Sequence, residues 1–183
     1  MLVALIGPHA VGKSSAGERW AERYKDINVV NCDNAVAYNS SGWRERQRGW
    51  LGSTDEKVAL ATLCADEPKL WVCEGNTARN MPWLKVVPIY TIIHTYCKPN
   101  LFGTLMKERC NRNGKKYRDD YWTEQKLWYE SEQRFRNAWN KHLNPRTTLK
   151  DFLIEDVQKD WKKVDMEFSK VYHEIKKTVG AFT

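Results

Sequence analysis

A chain of 183 residues is long enough for one domain with a substantial core and too short for two ordinary ones, so a single domain over residues 1–183 is expected. Its 42% hydrophobic and 29% charged residues exclude a disordered polymer, and no apolar run is long enough to cross a bilayer. Thirty Lys and Arg against twenty-three Asp and Glu leave a net charge of +7, which favours a polyanionic partner.

Leu2-Val3-Ala4-Leu5-Ile6 is a short apolar run suited to a buried parallel strand. Gly7-Pro8-His9-Ala10-Val11-Gly12-Lys13-Ser14 follows it and satisfies the phosphate-binding pattern G-x-x-x-x-G-K-[ST] at every specified position. Glycines let the backbone fold around an anion, successive N–H groups point inward, and the next helix adds the positive end of its dipole. Ser14 to Tyr24 supplies that helix, with Ser15 in its first turn. The pattern assigns Lys13 to the β- and γ-phosphates of ATP and the Ser14 hydroxyl to Mg²⁺, while Gly7 through Ser15 form the nucleotide cradle. An ordinary strand-to-helix turn that happens to contain Gly-Lys-Ser is the alternative.

Ile27-Asn28-Val29-Val30-Asn31-Cys32 reads as a second strand ending at Asp33. In a parallel α/β sheet the ligand sits beyond the carboxyl ends of the strands, so Asp33 is expected to face the same crevice and act as general base on an acceptor hydroxyl. An Asp that merely caps the next turn would look the same in sequence.

With these residues in place, the chain resembles the kinase domain of phage polynucleotide kinases, and more broadly the thymidylate-kinase-like P-loop kinases. The resemblance rests on the phosphate loop followed, twenty positions after Lys13, by Asn31-Cys32-Asp33. It implies that Asp33 takes the proton from a substrate hydroxyl. Those kinases place an Arg three residues beyond the acid, whereas Val36 stands here, so the likeness does not extend to their substrate grip. The chain is also similar in size and layout to small bacteriophage-type P-loop kinases that phosphorylate 5-hydroxymethyluracil within DNA. That likeness implies a DNA acceptor and a cytoplasmic location, the host cytoplasm for a viral protein.

Trp43-Arg44-Glu45-Arg46-Gln47-Arg48-Gly49-Trp50 sets three arginines between two tryptophans, inside a segment at about 38–53 that reads as a substrate-binding insertion. Arg44, Arg46 and Arg48 suit phosphates, and Trp43 and Trp50 offer planes for unstacked bases. A solvated loop whose tryptophans tuck onto the core is the competing reading.

Ser53 opens a capping box with Glu56, and Val58, Leu60, Ala61, Leu63 and Cys64 give the following helix an apolar side. Leu70-Trp71-Val72-Cys73 is the next buried strand and is expected to end in Glu74-Gly75. An acid at that place orders Mg²⁺ or its water, which makes Glu74 the metal candidate; a helix-capping acid is the alternative. Arg79 follows at the crevice as a substrate-phosphate candidate or a plain surface charge.

A fourth strand is expected over Ile89 to Ile93, because Pro88 cannot donate within a central ladder, with His94 and Thr95 at its end. Leu101, Leu105, Met106 and Arg109 then fall on a helix that becomes strongly basic through Arg118. The stretch at about 107–120 resembles the lid of nucleotide kinases. Arg109 and Arg112 share a helical face and are the candidates to close over a transferring phosphate, with Gly114 as a hinge, while a basic surface run is the alternative.

Trp122 to His142 reads as a long amphipathic helix carrying Leu127, Trp128, Phe135, Ala138 and Trp139, ended by Asn144-Pro145. The last segment repeats apolar residues at helical steps from Leu153 to Ile175, although Phe152-Leu153-Ile154 also fits a fifth strand. The five cysteines lack a C-x-x-C pair and the four histidines lack ligand spacing, so no disulfide framework or zinc site is implied. With the first strand beside Met1, no signal peptide is expected, and the protein should be soluble and cytoplasmic.

The expectation is a three-layer α/β P-loop kinase fold, with a mostly parallel sheet of four or five strands flanked by helices. The function expected is ATP- and Mg²⁺-dependent phosphoryl transfer to a hydroxyl on nucleic acid. The alternatives are a thymidylate-kinase-like nucleoside monophosphate kinase, against which no Asp-Arg pair occurs near Asp33 or Glu74, and a P-loop ATPase switch.

Overall fold

Leu2–Gly7 forms β1, and every residue of it is buried. Val3 and Leu5 face one core and Leu2, Ala4 and Ile6 the other, so the period of two is present but both faces are covered by helices. This explains a strand that reads as a continuous apolar run. The computed structural model describes residues 1–33, 36–37, 54–117, 129–130, 132–137 and 145–180.

In chain order the elements after β1 are α1 (Lys13–Arg23), β2 (Ile27–Asn31), β3 (Val36–Ala37), α2 (Thr54–Asp66), β4 (Leu70–Asn76), α3 (Thr77–Leu84), β5 (Thr91–Cys97), α4 (Pro99–Arg112), β6 (Thr148–Ile154) and α5 (Val157–Gly180). The sheet order is β3-β2-β4-β1-β5-β6. Five strands run parallel, and the two-residue β3 pairs antiparallel with the edge of β2. One core packs α1 and α5 on the sheet, with the Trp20 and Phe168 rings stacked 3.9 Å apart. The other packs Leu60 of α2, Trp83 of α3 and Phe135 of a helical stretch at 132–137. Helices on both faces make the three layers expected from the sequence.

Several boundaries differ from the sequence reading. The strand expected over Ile89 to Ile93 is β5, Thr91–Cys97, so His94 and Thr95 lie inside a central strand. Both are buried and satisfied there: Thr95 Oγ1 donates to the Ile6 carbonyl at 3.2 Å, and His94 pairs with two carboxylates. β4 likewise runs on through Glu74 to Asn76, because Leu5 and Gly7 of β1 stay in register with Glu74 and Asn76. Phe152-Leu153-Ile154 belongs to β6, parallel to β5, and the helical repeat begins only at Val157.

In α2 the buried stripe is Lys57, Leu60, Ala61 and Cys64, at helical steps of three and four. Leu63 falls off that stripe and is 51% exposed, contrary to its expected place on the apolar side. Trp43, Arg44, Arg46, Arg48, Trp50 and Ser53 lie outside the described residues, as do Arg118 and most of the stretch from Trp122 to His142. No helix among the described residues is long and apolar enough to cross a membrane. The five cysteines are buried and free.

Candidate active site

The carboxyl ends of β1, β2 and β4 meet at one edge of the sheet, and a cavity of about 530 Å³ opens there. The phosphate loop forms its floor through His9, Ala10, Gly12, Lys13, Ser14 and Ser15. Asn31, Asp33, Glu74 and Arg79 also line it, as do Arg109, Arg112 and Asn113 from the end of α4. Candidates from four separate segments of the sequence therefore share one recess.

Within the loop, Ala10 has φ 62° and Gly12 φ 108°, left-handed conformations that turn successive peptides tightly. Gly12 stands at the N-cap of α1 without a side-chain cap, and the first turn holds no acid, so no carboxylate of that turn competes for its amides. Lys13 is buried and its Nζ donates to the Pro8 carbonyl at 2.6 Å. Burial pushes its pKa down, opposed chiefly by Glu74 and then by Asp33. Burial also pushes the His9 imidazole down to about 4, with Lys13 adding to the shift, so His9 is neutral near pH 7 and presents a hydrogen-bonding ring rather than a charge.

Glu74 is buried in β4, and its Oε1 accepts the Ser14 hydroxyl at 3.0 Å. The same oxygen accepts from Asn31 Nδ2. A hydroxyl and a carboxylate converging beside an anion cradle are hard oxygen donors of the kind Mg²⁺ takes, so Ser14 and Glu74 fit the expected metal as the residues that would hold it.

Asp33 follows β2 and is held from three directions. The Asn76 N–H donates to Oδ2 at 2.8 Å, Asn80 Nδ2 donates to Oδ1 at 3.0 Å, and Lys57 Nζ lies 4.0 Å from Oδ1. The Asn31 side chain accepts the Asp33 N–H at 2.9 Å, closing the turn that presents the acid. A carboxylate has about four lone-pair sites, so acceptor capacity remains toward the cavity that Asp33 lines. Asn76 caps α3 by accepting the Arg79 N–H at its Oδ1 at 3.4 Å, and the Arg79 side chain borders the same space.

Sequence reasoning missed Lys57 and Asn80, and it placed Asn76 at the crevice without a role. Asn80 is fully buried and also accepts from Trp83 Nε1 at 2.7 Å. Lys57 is only 8% exposed, and its Nζ reaches the Arg79 carbonyl at 3.3 Å. The signal for Lys57 was present: a lysine on the apolar stripe of a helix must find a carboxylate or carbonyl inside.

A second cavity of about 880 Å³ adjoins the loop, between Leu105, Glu108 and Arg112 of α4 and Val157, Gln158 and Trp161 of α5. Arg112 borders both cavities. Gly114, just after α4, has φ 63°.

No family model and no curated protein matches this chain. Solved structures do. A shikimate kinase from Bacteroides thetaiotaomicron superposes with a TM-score of 0.55 at 12% identity, over 94% of this chain and 98% of that one. A gluconokinase from Sinorhizobium meliloti 1021 gives 0.55 at 12% identity, over 96% and 95%. The chain has the fold of small P-loop kinases. A shikimate kinase from Aquifex aeolicus, at a TM-score of 0.50 and 13% identity over 94% of this chain and 98% of that one, agrees.

Proposed function

We propose that this protein is an ATP-dependent phosphotransferase that uses its single domain to move the γ-phosphoryl group onto a hydroxyl. The observation that carries the reading is that Asp33 borders the same cavity as Lys13 and the loop. The loop amides and Lys13 hold the phosphates of ATP, whose base and ribose fit the adjoining cavity. Mg²⁺, held by Ser14 and Glu74 when bound, neutralises charge on the phosphates.

Asp33 accepts the proton of the acceptor hydroxyl as that oxygen forms its bond to phosphorus, while the bond from the γ-phosphorus to its bridging oxygen breaks and ADP leaves. Arg109 and Arg112 line the same cavity and offset charge spreading over the phosphoryl oxygens. Arg79 binds an anionic group of the acceptor.

The acceptor favoured by the charge balance and the Arg/Trp segment is a hydroxyl carried on nucleic acid. The resemblance to hypermodification kinases narrows it to 5-hydroxymethyluracil in DNA, with Trp43 or Trp50 stacking on an extruded base, in the cytoplasm where such DNA is made. A second reading is supported by the size of the cavity, which suits a small molecule, and by the shikimate kinase and gluconokinase neighbours. Incubation with γ-labelled ATP and a panel of hydroxymethylated DNA, RNA, free deoxynucleotides, hydroxy acids and sugar acids separates these. Label in the DNA supports the first acceptor, label in a hydroxy or sugar acid the second, and label in deoxynucleotides a monophosphate kinase. ATP hydrolysis with no acceptor labelled would refute the transferase reading. Lys13→Ala is expected to abolish transfer.

A further inference from the structure

Val11 is the one residue of the loop between its two left-handed positions, and its carbonyl points into the interior. That oxygen accepts a hydrogen bond from Trp161 Nε1 at 2.7 Å, across 150 positions of sequence. Ala10 and Gly12, on either side, line the cavity. A buried peptide oxygen must find a donor, and here α5 provides it. The ring also fills the space beside Gly12, where an added Cβ would lie 2.8 Å from Nε1 and 3.2 Å from Cε2 of Trp161.

Trp161 is itself fixed by both helices that meet there. The Arg19 guanidinium lies over its ring at 5.9 Å. Arg19 and Trp20 of α1 both bond Asp165, one turn beyond Trp161, with the Trp20 Nε1 to Asp165 Oδ1 distance at 2.7 Å. Asp160 accepts the Glu155 and Asp156 N–H groups at 2.9 Å each, which fixes the turn where α5 begins.

We infer that Trp161 is a positioning residue for the phosphate loop: its indole N–H holds the Val11 carbonyl, and through it the curvature of the anion cradle, making α5 a working part of the triphosphate site. The inference rests on the reading of the loop as a phosphate cradle. Trp161 also borders the adjoining cavity, so a direct contact to a base has to be distinguished from support of the loop.

Inorganic tripolyphosphate, which has no base, makes that distinction. Trp161→Phe keeps a ring and removes the donor, whereas Trp161→Gln keeps an N–H the same number of bonds from Cβ and removes the ring. In calorimetric titrations of folded protein, Trp161→Phe is expected to bind tripolyphosphate and ATP about tenfold more weakly, by one factor for both, with Trp161→Gln nearer to wild type. The KM for ATP should rise in step while kcat at saturation changes little. In the wild type, amide exchange over residues 157–165 should slow when tripolyphosphate is added. Unchanged tripolyphosphate affinity in Trp161→Phe, a loss confined to ATP, or unaltered exchange over 157–165 in the wild type would each overturn the inference. A wild-type chain that binds neither ligand would remove the phosphate-cradle reading beneath it.

Discussion

Asn80 Nδ2 donates to Asp33 Oδ1 at 3.0 Å and to the Asn76 carbonyl at 2.6 Å, so one buried amide ties the acid after β2 to the start of α3. Asp33 Oδ2 takes the Asn76 N–H from the same turn. The carboxylate is thereby fixed before any acceptor arrives, which is what a general base requires. Asp33→Asn should lower the transfer rate by about 10²–10⁴ while leaving ATP affinity nearly unchanged. Asn80→Ala, which removes one positioning bond and leaves the carboxylate, should cost about tenfold in kcat. Single-turnover transfer alongside ATP titration checks both, and an Asp33→Asn enzyme of wild-type rate would leave the acid without a catalytic role.

Glu74 and Ser14 bond across the crevice at 3.0 Å, which couples β4 to the first turn of α1. Glu74→Gln keeps the shape and removes the charge. The half-saturating Mg²⁺ concentration for transfer is expected to rise about 10–100-fold, with a smaller effect at saturating metal. Mg²⁺ titration of the steady-state rate at fixed ATP is the measurement. An unchanged Mg²⁺ requirement would assign Glu74 to bracing Ser14 and Asn31 alone.

What was legible in the sequence was local. The loop, the strand before it and the acid after β2 are contiguous signals, because a phosphate cradle is built from successive backbone groups and needs glycine at a fixed place. β5 was misplaced because His94 and Thr95 look like a strand end, and only partners far along the chain, Asp151, Glu132 and the Ile6 carbonyl, make them tolerable inside. Trp161 escapes for the same reason: it bonds the Val11 carbonyl, and no spacing rule reaches that far along the chain. Lys57 differs, since its place on the buried stripe of α2 is a local signal and only the identity of its partners, Asp33 and the Arg79 carbonyl, is not.

Gly7 and Gly75 are required by close approach rather than by backbone angle. A Cβ on Gly7 would lie 2.3 Å from the Thr95 carbonyl oxygen, which belongs to β5 and cannot move without breaking the ladder. Gly7→Ala should therefore destabilise the fold by about 1–3 kcal/mol. A Cβ on Gly75 would lie 2.4 Å from Asn80 Nδ2 and 3.3 Å from Asp33 Oδ1, so Gly75→Ala should displace the Asp33 support and lower kcat with a smaller loss of stability. Urea denaturation and kcat measured on both variants separate the two effects. Equal stability losses with unchanged kcat would show that the site relaxes around the methyl group.

His94 bonds Asp151 through Nδ1 at 2.7 Å and Glu132 through Nε2 at 2.5 Å, anchoring the helical stretch at 132–137 to β5 and β6. Thr77 Oγ1 also donates to Glu132 Oε2, Arg136 Nε pairs with Asp151 Oδ2 at 2.8 Å, and the Tyr96 ring stacks on the imidazole. Burial works against a charged ring, but hydrogen bonds to Asp151 and Glu132 outweigh it and raise the His94 pKa. The folded chain then holds a proton that the unfolded chain releases near its ordinary value of about 6.5. That contribution to stability is complete below this value and is lost as pH rises through the higher folded value. Wild-type unfolding free energy should accordingly fall with pH across that window, and His94→Gln should flatten the slope while lowering stability at the acid end. Urea denaturation of both proteins at constant ionic strength, from about pH 5.5 upward, tests this. Identical slopes would mean that the imidazole is neutral between its two acids.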